Sequence, residues 1–135
     1  MTSSYLDASA IVKLATQEAE TQALRTHLAE HHHLITSRLA TVEVSRALMR
    51  SGADNVALGA APLRDVLEHL QLVELDEGIA VSASILGPAT LRSLDAIHLA
   101  SALAIGEELT EVITYDGRLA AAARAAGLQV QSPGR

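Results

Sequence analysis

Short apolar or β-branched pieces alternate along this chain with Ala-, Leu- and Glu-rich stretches, and that alternation restricts the fold more than any other feature. The strand-like pieces are residues 5–6, 34–36, 72–75, 112–115 and 128–130. Helical periodicity covers residues 9–16, 18–30, 37–50, 56–70, 76–86, 93–105 and 118–126. Strands that alternate with helices imply an α/β domain with a mainly parallel central sheet. Residues 52–55 and the Gly87-Pro88 pair supply turn signals, and Gly127 after an Ala-rich helix suits a left-handed C-cap. No linker or internal repeat divides the 135 residues, about half of them apolar, so residues 1–135 are expected to form one domain.

Four acids interrupt apolar segments of this pattern. They are Asp7 in Tyr-Leu-Asp-Ala-Ser, Glu43 in Thr-Val-Glu-Val-Ser, Asp95 in Ser-Leu-Asp-Ala-Ile-His and Asp116 in Ile-Thr-Tyr-Asp-Gly. An ionised carboxylate is costly to desolvate, so one at the edge of a core is usually paired, hydrogen-bonded or bound to a cation. Cationic side chains are few: one Lys, Lys13, and nine Arg, most of them on expected solvent faces. A divalent metal ion is therefore the leading candidate for the balancing charge. Cysteine is absent, which leaves oxygen and imidazole as ligands and removes disulfides and thiol catalysis.

In open parallel sheets ligands gather beyond the carboxyl ends of the strands, and Asp7 closes the first strand while Asp116 closes the fourth. With Ser93 as N-cap, Asp95 falls at the second helical position, beside free N–H groups and the favourable dipole end. Leu39 and Ala47 lie one turn before and after Glu43, which places this acid on the stripe expected to face the sheet. Each acid alone also fits a plainer role as a helix cap or solvated turn residue. Four together fit magnesium or manganese better, with hydrolysis of a phosphodiester as the chemistry such a site performs.

The net charge of −6 argues against a simple basic nucleic-acid binder. Tyr5 and Tyr115 are the only large aromatic residues, so no platform for stacking bases is present either. Any nucleic acid must be held by metal, local Arg and a second subunit. The chain contains no apolar run long enough to span a membrane, and its start lacks a basic and hydrophobic leader, so a cytoplasmic location is expected.

Taken in order, Tyr-Leu-Asp-Ala-Ser-Ala, a Glu in an early helix, Leu-Asp-Ala-Ile-His-Leu-Ala-Ser-Ala and Val-Ile-Thr-Tyr-Asp-Gly-Arg-Leu resemble a PIN-domain ribonuclease. More narrowly they resemble the VapC toxins of type II toxin-antitoxin systems, over nearly the whole chain. The resemblance implies a three-layer α/β/α sandwich and a magnesium- or manganese-dependent endoribonuclease. It makes Asp7, Glu43, Asp95 and Asp116 the catalytic quartet, with Asp7, Asp95 and Asp116 as metal ligands. Ser9 and Thr114 match hydroxyls that orient the carboxylates. Tyr115-Asp116-Gly117 departs from commoner forms of the last motif, and Asp116 is open to binding metal through water. The resemblance further implies a homodimer and a cognate VapB-type antitoxin, through which alone operator DNA is bound. Residues 57–72 offer an apolar helix face that suits either a partner or the chain's own core.

Other residues are weighed beside these. His31, His32 and His33, with His27 one turn earlier, read as solvated or capping residues at a helix end before a strand, not as a zinc site. His98 shares the helical face of Asp95 and reads as a satisfied core or supporting histidine rather than a general base. Arg92 and Arg118 are the cations best placed for an RNA phosphate. A phosphoacceptor domain would need an acidic pair after the first strand and a late Lys, and a haloacid-type phosphatase would need Asp where Ser9 stands. The remaining alternative is a PIN-fold interaction module that docks an antitoxin with little turnover.

Overall fold

In the computed structural model of the protein, residues 2–29, 32–51 and 64–135 are described. The strands are β1 (Thr2–Leu6), β2 (His32–Ser37), β3 (Leu70–Val73), β4 (Glu111–Ile113) and β5 (Val130–Gln131). The helices are α1 (Ala8–Ala15), α2 (Thr21–Leu28), α3 (Arg38–Arg50), α4 (Glu77–Ile85), α5 (Ser93–Ile105) and α6 (Gly117–Ala125), and residues 64–68 are also helical. All strand pairs are parallel, in the order β3-β2-β1-β4-β5. The sheet grows from β1 toward β3 and then restarts on the other side of β1 with β4. The seam between β1 and β4 is thus the point where strand order reverses, and the diverging connections leave a crevice at its carboxyl end.

Alternation along the strands sorts the core into two faces. Leu6 and Ile113 join Ala10, Ile11, Leu14, Leu24, Ala40 and Val44 on the side of α1, α2 and α3. Tyr5, Ile35 and Val112 point the other way and meet Ala102 of α5. Leu99, Leu119, Ala123 and Val130 extend that second layer under α6. Each fully buried Leu, Ile or Val contributes roughly 1.5–3 kcal/mol, so these two layers fix which way every strand faces.

The helices start where polar side chains satisfy their free N–H groups. Asp7 caps α1, Ser37 caps α3 by accepting from the Leu39 N–H at 3.1 Å, and Asp76 caps α4 by accepting from the Ile79 N–H at 2.9 Å. In α3 the buried stripe runs Ala40, Val44, Leu48 at four-residue spacing. After α6 the chain turns through Gly127 at φ 89°, and the Leu128 N–H donates to the Ala123 carbonyl at 3.0 Å, as a glycine C-cap requires.

Several boundaries differ from the sequence expectation, each for a reason of pairing. β2 begins at His32, because Thr2 and Ser3 of β1 pair with His32 and His33; these two histidines lie in a strand, not at a helix end. β3 ends at Val73 rather than Leu75, and Glu74 leaves the sheet toward Arg38, whose Nη2 approaches its Oε1 at 2.6 Å. α2 is shorter than residues 18–30 because Thr21 turns its hydroxyl back to the Lys13 carbonyl at 2.7 Å and receives the Glu18 N–H at 2.9 Å. The expected helix over residues 56–70 and the apolar face at 57–72 lie largely outside the described residues, as do the turn at 52–55 and His31. Leu70 belongs to β3.

Gly127→Ala should lower stability by about 1 kcal/mol, because an L-residue resists positive φ while the space around the new Cβ is open. A thermal melt is expected to shift down by about 4 °C. An unchanged melting temperature would contradict the C-cap assignment.

Candidate active site

Asp7 is the first residue beyond β1 and is only 4% exposed. Its Oδ1 accepts from the Ser9 hydroxyl at 2.7 Å and the Ala10 N–H at 3.1 Å, and its Oδ2 accepts from the Thr114 hydroxyl at 2.6 Å. Burial nevertheless outweighs these donors and His98, and it pushes the Asp7 carboxyl above the ordinary aspartate range. The same hydroxyls lace β1 to the segment after β4. The Tyr115 N–H donates to Ser9 Oγ at 2.9 Å, and the Asp116 N–H donates to Thr114 Oγ1 at 3.0 Å. Two short polar side chains thereby hold one carboxylate and position the next.

Asp116 is the N-cap of α6, where its Oδ1 accepts from the N–H groups of Arg118 at 2.8 Å and Leu119 at 3.3 Å. Asp95 sits in the first turn of α5. The N-cap of that helix is Arg92, not Ser93, so Ser93 is the first helical residue and Asp95 the third. The shift follows from the backbone, since the Ala96 N–H already donates to the Arg92 carbonyl at 2.8 Å. Burial is the main cause that raises the Asp95 carboxyl, followed by the negative charge of Asp116; Asp7 and Glu43 add to the rise and His98 opposes it. Asp95 therefore lies in the field of the three other acids.

Glu43 stands at the edge of the α3 stripe, beside Val44 rather than at its centre, with 21% of its side chain exposed. Its Oε1 meets His98 Nε2 at 2.5 Å, and His98 Nδ1 meets the Tyr5 hydroxyl at 2.7 Å. The Tyr5 ring stands edge-on to the imidazole, with centroids 5.8 Å apart. Burial raises the Tyr5 phenol far above its ordinary value, so it remains an O–H donor. The consistent assignment has Tyr5 donating to Nδ1 and Nε2–H donating to Glu43. Sequence reasoning gave Tyr5 no part in the site. The signal was available: Tyr5 lies two residues before Asp7, and His98 three after Asp95.

Positive charge is directed elsewhere. Among the described residues, Lys13 pairs with Glu20 at 3.0 Å and Glu18 at 3.5 Å, Arg38 with Glu74, and Arg135 with Glu20. None of these pairs reaches the four acids. Arg92 and Arg118 are exposed at the start of α5 and α6, and Arg118 lines a groove with Pro88, Thr90 and Leu91. A set of hard carboxylate oxygens, with the Asp7 and Asp95 carboxyls raised and no guanidinium or ammonium partner among the described residues, fits a hard divalent cation.

A parallel sheet with acids gathered at its reversal point defines a class, and comparison with known proteins places the chain in it. The family model described as PIN domain matches residues 4–125, and the chain belongs to the PIN-domain family, in its VapC ribonuclease branch. It is 44% identical to ribonuclease VapC46 of Mycobacterium tuberculosis over 133 residues, covering 98% of this chain and 99% of that one. Ribonuclease VapC47 of the same organism is 44% identical over 134 residues, covering 96% of each. The fold matches the crystal structure of Mycobacterium tuberculosis VapC20, described as a Sarcin-Ricin loop cleaving toxin, with a TM-score of 0.69 at 19% identity over 93% of this chain and 95% of that one. It also matches VapBC2 from Rickettsia felis bound to a DNA fragment from their promoter, with a TM-score of 0.67 at 12% identity over 96% and 98%.

The raised Asp95 carboxyl carries a sign for stability. The folded protein holds this proton to a higher pH than the unfolded chain does. Metal-free stability therefore falls as pH rises from the unfolded carboxylate range, near pH 4, through the folded one, and stays lowered above it. In chelator at neutral pH, Asp95→Asn should melt above the wild type, and the gap should close below about pH 4. A variant that melts lower at neutral pH would contradict the crowding of charge around Asp95.

Proposed function

We propose that this chain is the endoribonuclease toxin of a toxin–antitoxin pair and hydrolyses RNA phosphodiester bonds with Mg2+, or Mn2+ in its place, held by Asp7, Asp95 and Asp116. One observation carries the reading: a buried carboxylate, held on both oxygens by Ser9 and Thr114, stands in a cluster of acids that no Lys or Arg of the described residues neutralises. When bound, the cation supplies charge neutralisation at the phosphate and lowers the pKa of a bound water. Ser9 and Thr114 fix the direction of Asp7, so that ligand geometry is set before RNA arrives. Glu43, braced by His98 and through it by Tyr5, positions the attacking water at the edge of the crevice. Arg92 and Arg118 offer exposed guanidinium groups to the phosphates on either side.

The relatives named ribonucleases favour turnover over a docking module. A VapB-type antitoxin is the expected partner, with operator DNA bound through it, since the Rickettsia felis neighbour is a VapBC2 assembly on promoter DNA. Exposed apolar side chains support partner contacts and a homodimer: Val42 and Met49 on α3, and Val81 and Ile85 on α4. No helix among the described residues is long and apolar enough to cross a membrane.

Cleavage of total cellular RNA by the purified chain, with magnesium, manganese or chelator, tests the assignment. Discrete metal-dependent fragments are expected, and they should vanish in Asp7→Asn and Asp95→Asn while far-UV circular dichroism stays that of a folded domain. Wild-type activity in those variants would sink it. Thr114→Val should cut the rate about 10–100-fold and raise the magnesium concentration needed. A lower rate with an unaltered metal requirement would remove Thr114 from the support of the site.

A further inference from the structure

At the opposite, amino-terminal edge of the sheet, three side chains that the nuclease reading does not use come together. His27 lies in the last turn of α2, His32 opens β2 and Glu111 opens β4. We propose that they form a second metal site, selective for a zinc-class transition ion and separate from the acidic crevice. The ligand atoms all lie within 4.8 Å of one another. His27 Nε2 is 2.8 Å and His32 Nε2 is 3.7 Å from Glu111 Oε1. Two donors on a tetrahedral ion with bonds of ~2.0–2.1 Å stand about 3.3 Å apart, between those two distances.

The surroundings match what such a site needs. Glu111 is 7% exposed, and its ion-pair partners within the described residues are the two imidazoles, not Lys or Arg. A buried carboxylate is stabilised by a neighbouring cation, which a bound ion supplies without protonating either ring. The Ser4 hydroxyl donates to the same Glu111 Oε1 at 2.8 Å and fixes the carboxylate. The two rings lie 5.6 Å apart and tilted at 45°, not stacked. The His32 side chain is 9% exposed and that of His27 33%, so the site is walled on one side and open on the other, where water completes the coordination. Two imidazoles and one carboxylate select zinc, cobalt or nickel over magnesium, whereas the crevice presents oxygen alone. Register puts the two sites at opposite ends of the strands: Glu111 pairs with Ser4, while Asp7 follows β1 three residues later, about 10 Å further along. An ion here ties α2 to both β2 and β4 and favours the folded chain.

Zinc titration of the chelator-stripped full chain, in excess magnesium, tests the site by a competing chromophore and by thermal melting. Stoichiometric zinc is expected in the wild type and in Asp7→Asn, with a melting rise of roughly 8 °C at a hundredfold excess over the dissociation constant. His27→Gln, at the exposed ligand, and Glu111→Gln should bind zinc at least about 10-fold more weakly and lose that rise, with circular dichroism confirming the fold. X-ray absorption of the zinc-loaded wild type should show two imidazoles. Wild-type zinc affinity in both variants, loss of zinc in Asp7→Asn alone, or no stoichiometric binding would each overturn the proposal.

Discussion

Everything at the carboxyl edge of this sheet answers one constraint: a carboxylate buried at the seam between β1 and β4 must be held in place without a compensating Lys or Arg among the described residues. Asp7 meets it with three donors, the Ser9 and Thr114 hydroxyls and the Ala10 N–H, from the two segments that leave the seam and the first turn of α1. Those donors do not cancel the cost of burial, and the carboxyl remains raised. The fold thus stores unbalanced negative charge at the point where its topology provides a crevice. In the proposed nuclease, a divalent ion would supply the positive charge that this site lacks among the described residues, to oxygens already aimed by Ser9 and Thr114.

The rest of the chain keeps competing charge away. Lys13 is close in sequence to Asp7, yet it turns toward Glu20 and stands 4.8 Å above the Tyr115 ring. Arg135 reaches the same Glu20 and stands 5.4 Å from the centre of that ring. On the far side, Glu43 is steadied by an imidazole that is itself steadied by a phenol, so a side chain with three rotatable bonds behaves as a fixed group. Rigid support of this kind matters more for a hydrolytic site than an extra ligand, since misplacement is amplified in rate.

How far the sequence revealed this depends on the range of each interaction. Asp7 and Asp116 were legible because strand end, helix cap and acid coincide within a few residues. The α/β alternation was legible for the same reason. For the Glu43–His98–Tyr5 chain only the nearness of Tyr5 to Asp7 and of His98 to Asp95 was legible, because the contacts themselves span 55 and 93 residues and leave no local period. His32 and His33 were misplaced because β2 is lengthened by its neighbour: Thr2 and Ser3 supply the ladder that draws them into the sheet. Ser93 looks like an N-cap by residue type, but Arg92 occupies that position with extended backbone, and Ser93 is already helical. Strand pairing decided the first of these two outcomes and backbone hydrogen bonding the second, against residue propensity in both.

The bond from Thr114 to Asp7 joins residues 107 apart, and β1 lies at the centre of the sheet rather than at its start. During synthesis the first strand must therefore wait, unpaired on one side, until β4 has left the ribosome. A nascent chain that ends before residue 114 contains Asp7, Glu43 and Asp95 yet lacks the hydroxyl that locks the first of them and the last acid altogether. The topology thus acts as a timer: the complete acidic constellation assembles only after residue 116 has emerged, when the polypeptide can close its central seam.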